Sequence, residues 1–188
     1  MTAFFREALK DPARVGAIMP SSQQIAGRMA KLANVTQARQ VIELGAGTGQ
    51  ITGEILRQMP SDARLLAVER HPVFAEELAR RFPRIEVAAE CASRLRAIAQ
   101  SRGFDNVDAL VSTLPWSQFP DAMQRHLLGD IRQLLRQAGT FVTCVCFGIH
   151  WSTRGQAFRR HLGENFGRVQ ALPVSFKNFP PVFTFVCS

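Results

Sequence analysis

The stretch VIELGAGTGQIT, Val41–Thr52, decides the fold. A short strand-forming run, Val41–Leu44, passes directly into Gly45, Gly47 and Gly49, and a helical pattern follows from Ile51. Glycines between a strand and a helix let backbone N–H groups approach a ligand, and the helix N-terminus favours negative charge. A dinucleotide fingerprint would need Gly-x-Gly-x-x-Gly; here the third glycine comes one residue early and position 50 is Gln. Glu43 lies inside the strand. A buried carboxylate is costly unless paired, so Glu43 is expected to meet a donor or a cation.

Outward from this loop, short apolar runs alternate with helical patterns. Strands are expected near Val41–Leu44, Arg64–Val68, Ile85–Ala89, Val107–Ser112 and Thr140–Phe147. Helices are expected near Ile51–Met59, Val73–Phe82, Ser93–Ser101 and Ala122–Gln137. This alternation means a parallel sheet covered on both faces. The tail differs: a helix near Gln156–Asn165 precedes two runs, Val169–Phe176 and Val182–Cys187, too tightly joined for a parallel crossover. They should be antiparallel neighbours.

A chain of 188 residues, 46% hydrophobic, suits one well-filled core. No apolar run is long enough to span a bilayer, and residues 1–30 lack the apolar segment of a secretory signal. A cytoplasmic protein is expected. Cys91, Cys144, Cys146 and Cys187 form no C-x-x-C pair, so they read as small core residues and no metal is expected. The net charge of +8 is uneven: residues 1–40 hold six basic and two acidic side chains, and residues 121–188 hold eight and three. Residues 41–120 hold nine basic against ten acidic. Basic flanks attract polyanions, either nucleic acid or an anionic membrane surface.

Glu69 ends the second strand, where a doubly wound sheet places a carboxylate that grips ribose hydroxyls. Together with Glu43 and the Gly45-x-Gly47-x-Gly49 spacing, it resembles the first motifs of the class I S-adenosylmethionine-dependent methyltransferases. The resemblance implies a Rossmann-like α/β fold: a seven-stranded, mostly parallel sheet with an antiparallel C-terminal strand. It implies S-adenosylmethionine as cofactor and S-adenosylhomocysteine as product. It also implies a cofactor site of Glu43, Gly45, Ala46, Gly47, Gly49, Glu69 and Arg70, with Glu90 and Cys91 after the third strand. The alternative for Glu90 is a solvated carboxylate at a helix start.

The segment DPARVGAIMPSS, Asp11–Ser22, is similar to the Pro-x-x-x-Gly-Ala-x-x-Pro-Ser-Ser stretch of bacterial phosphatidylethanolamine N-methyltransferases. The similarity continues through the Ser-x-Leu-Pro step at Ser112–Pro115 and the C-terminal NFPPVFTF. It implies that residues 1–39 form an N-terminal helical extension and a lid contributing Ser21 and Ser22, with residues 40–188 as the methyltransferase domain. Phe4, Phe5 and Leu9 share one face of a short helix with basic flanks, suited to a bilayer interface or to a lid. More distantly similar ribosomal RNA adenine dimethylases carry Asn-x-Pro-aromatic after the fourth strand, where this chain has Ser-Thr-Leu-Pro-Trp. The expected acceptor is therefore the amine of phosphatidylethanolamine at an anionic membrane surface on the inner face of the cell membrane. Nucleic acid and an obligate protein partner are not expected, and a monomer is.

Ligands of open α/β sheets bind beyond the carboxyl ends of the strands. That makes Ser112, Leu114 and Trp116 candidate acceptor-site residues, with Trp116 either a wall facing a cationic amine or a core anchor. His150 follows the fifth strand as a candidate proton relay or a structural residue. Arg14, Arg154, Arg159 and Arg160 are candidates for a headgroup phosphate. An RNA or small-molecule methyltransferase is the alternative reading.

Overall fold

Strand burial sorts the chain into one sheet with two covered faces in the computed structural model, which describes residues 22–148, 151–176 and 181–188. Phe4, Phe5, Leu9, Arg14, Ser21 and His150 lie outside the described residues. The strands are β1 (Gln40–Leu44), β2 (Arg64–Val68), β3 (Glu86–Ala88), β4 (Val107–Ser112), β5 (Leu135–Cys146), β6 (Val169–Ala171) and β7 (Val182–Cys187). Their order is β3-β2-β1-β4-β5-β7-β6. Only β7 runs antiparallel to its neighbours, which is the sheet expected from the alternating pattern and the paired tail.

The helices are α1 (Gln23–Leu32), α2 (Gln50–Gln58), α3 (Pro72–Arg81), α4 (Leu95–Gln100), α5 (Asp121–Leu134) and α6 (Thr153–Asn165). Alternate residues of each strand feed opposite layers, because side chains along a strand point to opposite faces. Val41, Leu65, Ala109 and Val142 pack with Ile25 and Met29 of α1 and Ile51 and Ile55 of α2. Ile42, Leu66, Leu110 and Phe141 pack with Leu95 of α4, Leu127 and Ile131 of α5, and Phe158 of α6. Each of these side chains other than Ala109 contributes about 1.5–3 kcal/mol by leaving water. No helix among the described residues is long and apolar enough to cross a membrane.

Three boundaries depart from expectation. Helix α1 falls outside the helices assigned above, yet Ile25, Ala26, Met29 and Ala30 are buried in it and the Ser22 hydroxyl caps it by accepting from the N–H of Ile25. Strand β5 starts at Leu135, five residues before Thr140 and inside the helix expected to run to Gln137, because Leu135 pairs with Val107 ahead of a register shift. Gly139 permits that shift, since a Cβ there would lie 2.9 Å from the Val107 carbonyl oxygen. Strand β6 stops at Ala171, since Pro173 has no N–H to continue the ladder, and pairing resumes only at Ser175 opposite Val182. Cys144 and Cys146 pack against one core layer as expected, and burial pushes the Cys144 thiol up to about 12.

The order of strands reverses between β1 and β4, which opens a crevice at their carboxyl ends. The turn after β4 is held there by a buried polar knot. The Trp116 indole N–H donates to Thr143 Oγ1 (2.9 Å), and that hydroxyl donates to the Ser112 carbonyl (3.0 Å). The Gln124 amide donates to the carbonyls of Trp116 (2.8 Å), Phe119 and Arg154 (both 3.3 Å). Removing a partner from a buried group costs about 1–3 kcal/mol. Gln124→Leu, which strands these carbonyls, should therefore lower the urea midpoint by a destabilisation of about 1–3 kcal/mol at unchanged slope. An unchanged midpoint would mean that the knot contributes nothing to stability.

Candidate active site

The glycine loop closes the crevice from the β1 side. Gly45 (φ 76°), Gly47 (φ 54°) and Gly49 (φ 82°) all lie in the left-handed region. Two of them are held by their neighbours as well. A Cβ at Gly49 would come within 2.6 Å of Phe82 and 2.8 Å of Leu78, and a Cβ at Gly45 would meet Leu114 at 3.2 Å. Gly47 differs, because its Cβ would find only the Gly45 carbonyl oxygen, at 4.0 Å. The outer two glycines let α3 and the strand-four turn approach, and the middle one leaves the side open from which a ligand would approach. Ala46 between them is buried.

Glu43 lies under this loop, 1% exposed. Its Oε2 accepts from the Thr52 hydroxyl at 2.7 Å, while Oε1 is buried with no hydrogen-bond partner among the described residues. Burial raises its pKa from 4.5 to about 7, opposed by the Thr52 hydrogen bond and reinforced by the nearby Glu69 charge. A buried carboxylate with one unanswered oxygen matches a ligand that brings a cationic donor, as the amino-acid end of S-adenosylmethionine does.

Glu69, buried at the end of β2, accepts from the N–H of Gly47 through Oε2 (2.9 Å) and from the N–H of His71 through Oε1 (2.8 Å). It thereby fixes the glycine loop to the second strand. Each carboxylate oxygen keeps a further lone pair with which to accept from ribose hydroxyls. Arg70, next in the chain, is exposed. Glu90 follows β3, with its side chain 30% exposed and ion-paired with Arg94 (3.0 Å) and Arg102 (3.7 Å). Cys91 beside it is exposed, against the expectation of a small core residue, because it stands in the turn after β3 and not within a strand.

From the β4 side the crevice is closed by Ser112–Trp116. Ser112 is fully buried, and its hydroxyl accepts from the N–H of Leu114 (3.3 Å), so in this conformation it shapes the turn. Thr113 bridges to the glycine loop by donating to the Gly45 carbonyl (2.8 Å), while its own N–H donates to the Leu44 carbonyl (3.0 Å). Leu114, half-buried, stands against Gly45. Of the two roles open to Trp116, the structure puts it in the core: it is 1% exposed and stacked on Phe158 at 4.7 Å. Thr52, Thr113 and Thr143 are the residues that sequence reading missed. A hydroxyl nine positions after Glu43, on the first turn of the next helix, was the available signal for Thr52.

Glu43 ties stability to binding with a definite sign. Its folded-state value lies above the unfolded one, so the cost of ionising it is absent below about pH 4.5 and reaches about 3 kcal/mol above pH 7. Glu43→Gln removes that cost. At pH 8 the variant should resist urea as well as the parent or better, while its affinity for S-adenosylmethionine, measured by calorimetry, falls at least about tenfold. Affinity of the parent should itself weaken as pH drops below about 7. A variant that binds normally would remove Glu43 from the site.

The same fold recurs among solved structures. No family model matches the chain. Among solved structures, an O-methyltransferase from Bacillus cereus in complex with S-adenosylhomocysteine has a TM-score of 0.70 at 16% identity, covering 100% of this chain and 92% of that one. A TehB-like S-adenosylmethionine-dependent methyltransferase from Corynebacterium glutamicum has a TM-score of 0.66 at 16% identity, covering 98% and 97%. An S-adenosylmethionine-dependent O-methyltransferase from Thermotoga maritima has 0.64 at 18%, covering 87% of this chain and 63% of that one. These likenesses establish the fold. Among curated proteins, the ornithine lipid N-methyltransferase of Singulisphaera acidiphila is 35% identical over 141 residues, 73% of each chain. Identity at that level over that span, on a sheet of this order with a buried acid beneath a Gly-x-Gly-x-Gly loop, means that the chain belongs to the class I S-adenosylmethionine-dependent methyltransferase family that includes this lipid N-methyltransferase.

Proposed function

We propose that the chain methylates the amine of a membrane-lipid headgroup. The observation that carries this reading is the 35% identity, over 73% of each chain, to a protein named as an ornithine lipid N-methyltransferase. The segment Asp11–Ser22 and the Ser112–Pro115 step support it independently, since they are similar to the corresponding parts of phosphatidylethanolamine N-methyltransferases. Both named acceptors carry a primary amine beside an anionic group. Phosphatidylethanolamine is the acceptor favoured by those motifs, and ornithine lipid the one favoured by the relative.

Bound S-adenosylmethionine supplies a methyl group already activated on a sulfonium. The protein's part is then mainly to hold and to exclude. Glu43 would hold the cofactor's ammonium through Oε1, and Glu69 the ribose hydroxyls. Leu114, packed against Gly45, would keep water from the side on which the acceptor arrives. The polar knot behind Ser112 makes the turn stiff, and a stiff turn suits a displacement whose barrier falls chiefly by alignment. An amine needs only to lose its proton to present a lone pair, so no buried base of high strength is required.

Labelled methyl transfer tests the reading. Protein incubated with methyl-tritiated S-adenosylmethionine should place label in the lipid fraction when given phosphatidylethanolamine or ornithine lipid in mixed micelles. Ribosomal RNA offered alongside should stay unlabelled. Label in RNA with none in either lipid would replace this reading with the nucleic-acid one.

A further inference from the structure

A second concavity lies away from the glycine loop. A groove of ≈ 540 Å³ opens between α6 and the ends of β5 and β7. Val145, Phe158 and Phe185 give it an apolar floor, and Trp151, Arg159 and Arg160 stand on its rim. Exposed aromatics gather at its mouth: Phe147 is 39% exposed, Trp151 64% and Phe176 74%. The rings of Trp151, Phe183 and Phe176 have centroids 5.2, 5.9 and 6.3 Å from that of Phe147. Large apolar side chains scattered singly on a surface are ordinary, but a contiguous group marks a contact site.

The rim adds charge to this apolar face. Arg160 is shared between Asp121 (3.8 Å) and Glu164 (3.6 Å). Arg159 beside it is exposed and has no ion pair or hydrogen bond among the described residues, which leaves it for an external anion. An apolar trough with a cationic rim and an aromatic mouth complements a lipid, whose acyl chain and anionic headgroup present the same two chemistries in the same order.

Its position ties it to the site. Val145 pairs with Phe183 across β5 and β7, and Thr143 pairs with Ser112 across β5 and β4. At about 4.8 Å per strand the groove's β7 wall lies two strands, roughly 10 Å, to the side of β4. Phe158, in the groove floor, is also the ring on which Trp116 stacks. The groove therefore backs onto the turn that closes the crevice.

We infer that this face docks on a lipid bilayer, with Trp151, Phe147 and Phe176 entering the interfacial layer. An acyl chain of the bound lipid lies along the groove, and Arg159 takes its anionic group. The inference rests on the reading of the acceptor as a membrane lipid, and it places lipid contact at the β5–β7 edge in addition to whatever residues 1–21 contribute.

The chain's two tryptophans make the test direct, because Trp116 is 1% exposed and Trp151 64%. The full-length protein is mixed with vesicles of phosphatidylethanolamine and phosphatidylglycerol, with and without a doxyl label on the acyl chain. Tryptophan emission should shift to shorter wavelength and be quenched by the doxyl chain. Trp151→Phe should lose that response while still sedimenting with vesicles. Phe147→Ser combined with Phe176→Ser should weaken sedimentation roughly tenfold or more. Arg159→Gln should reduce the preference for these vesicles over phosphatidylcholine ones. Sedimentation with unshifted, unquenched emission would overturn the inference, as would no sedimentation at all. Counting methyl label in the same samples separates the two readings. Trp151 quenching with no label in these vesicles or in ornithine-lipid micelles would remove the methyl-transfer reading alone, and labelled lipid without a Trp151 response would remove the docking face alone.

Discussion

A carboxylate placed where water cannot reach it is the constraint around which this molecule is arranged. Glu43 stands in the middle of the sheet between β2 and β4, and its burial raises its pKa to about 7. The protein answers one oxygen with Thr52 and leaves the other unanswered. Packing alone would favour an apolar residue at this position, as at its neighbours Ile42 and Leu44. The cost makes sense only if a ligand relieves it. A cationic group arriving at Oε1 gains the attraction of a charge in a low-dielectric site, and the protein recovers what burial took. Glu69 extends the same arrangement outward, because its carboxylate sets the shape of the loop through Gly47 and still faces the crevice with lone pairs unused.

The far wall of the crevice is stiff for a different reason. Pro115 limits the backbone, and the next residue drives its indole into the core against Phe158. Thr143 couples that indole to the Ser112 carbonyl, and Thr113 couples the turn to the Gly45 carbonyl. The two walls are thus joined by hydrogen bonds as well as by the β1–β4 ladder. Motion of one without the other would leave buried polar groups unpaired, which the low dielectric of the interior penalises.

Much of this was legible before any coordinates. Continuous apolar runs located β1, β2, β4 and β7 to within a residue, because a strand buried on both faces has few ways to be written. The acid and glycine positions were legible for a similar reason: each breaks a local preference and so calls for a ligand or a close approach. Pairwise distance was not legible. Thr113 and Thr143 carry no sequence mark of their partners, and their roles exist only once β1, β4 and β5 are side by side. Glu90 is bound by Arg102 twelve residues away, and no short-range pattern announces that. Helix α1 was obscured by its short, small-residue face: Ala26 and Ala30 bury as completely as Met29 but carry little of the periodic signal.

The sheet divides its labour at β4. The proposed cofactor residues come from β1 and β2 on one side, while the groove and its aromatic mouth come from β5 and β7 on the other. The lipid acceptor proposed here is long and amphipathic, so its reactive nitrogen and its chains would have to be held in different surroundings at a fixed separation. Ser112–Trp116 lies between those surroundings. One end leans on Gly45 through Leu114 and the other on Phe158 through Trp116. A flexible surface turn could close the sheet equally well, but it could not keep a headgroup aligned at the crevice while the chains stay seated at the groove. Burial of Trp116 is therefore as useful to such a reaction as exposure would have been. It would fix the distance between the two halves of the proposed site.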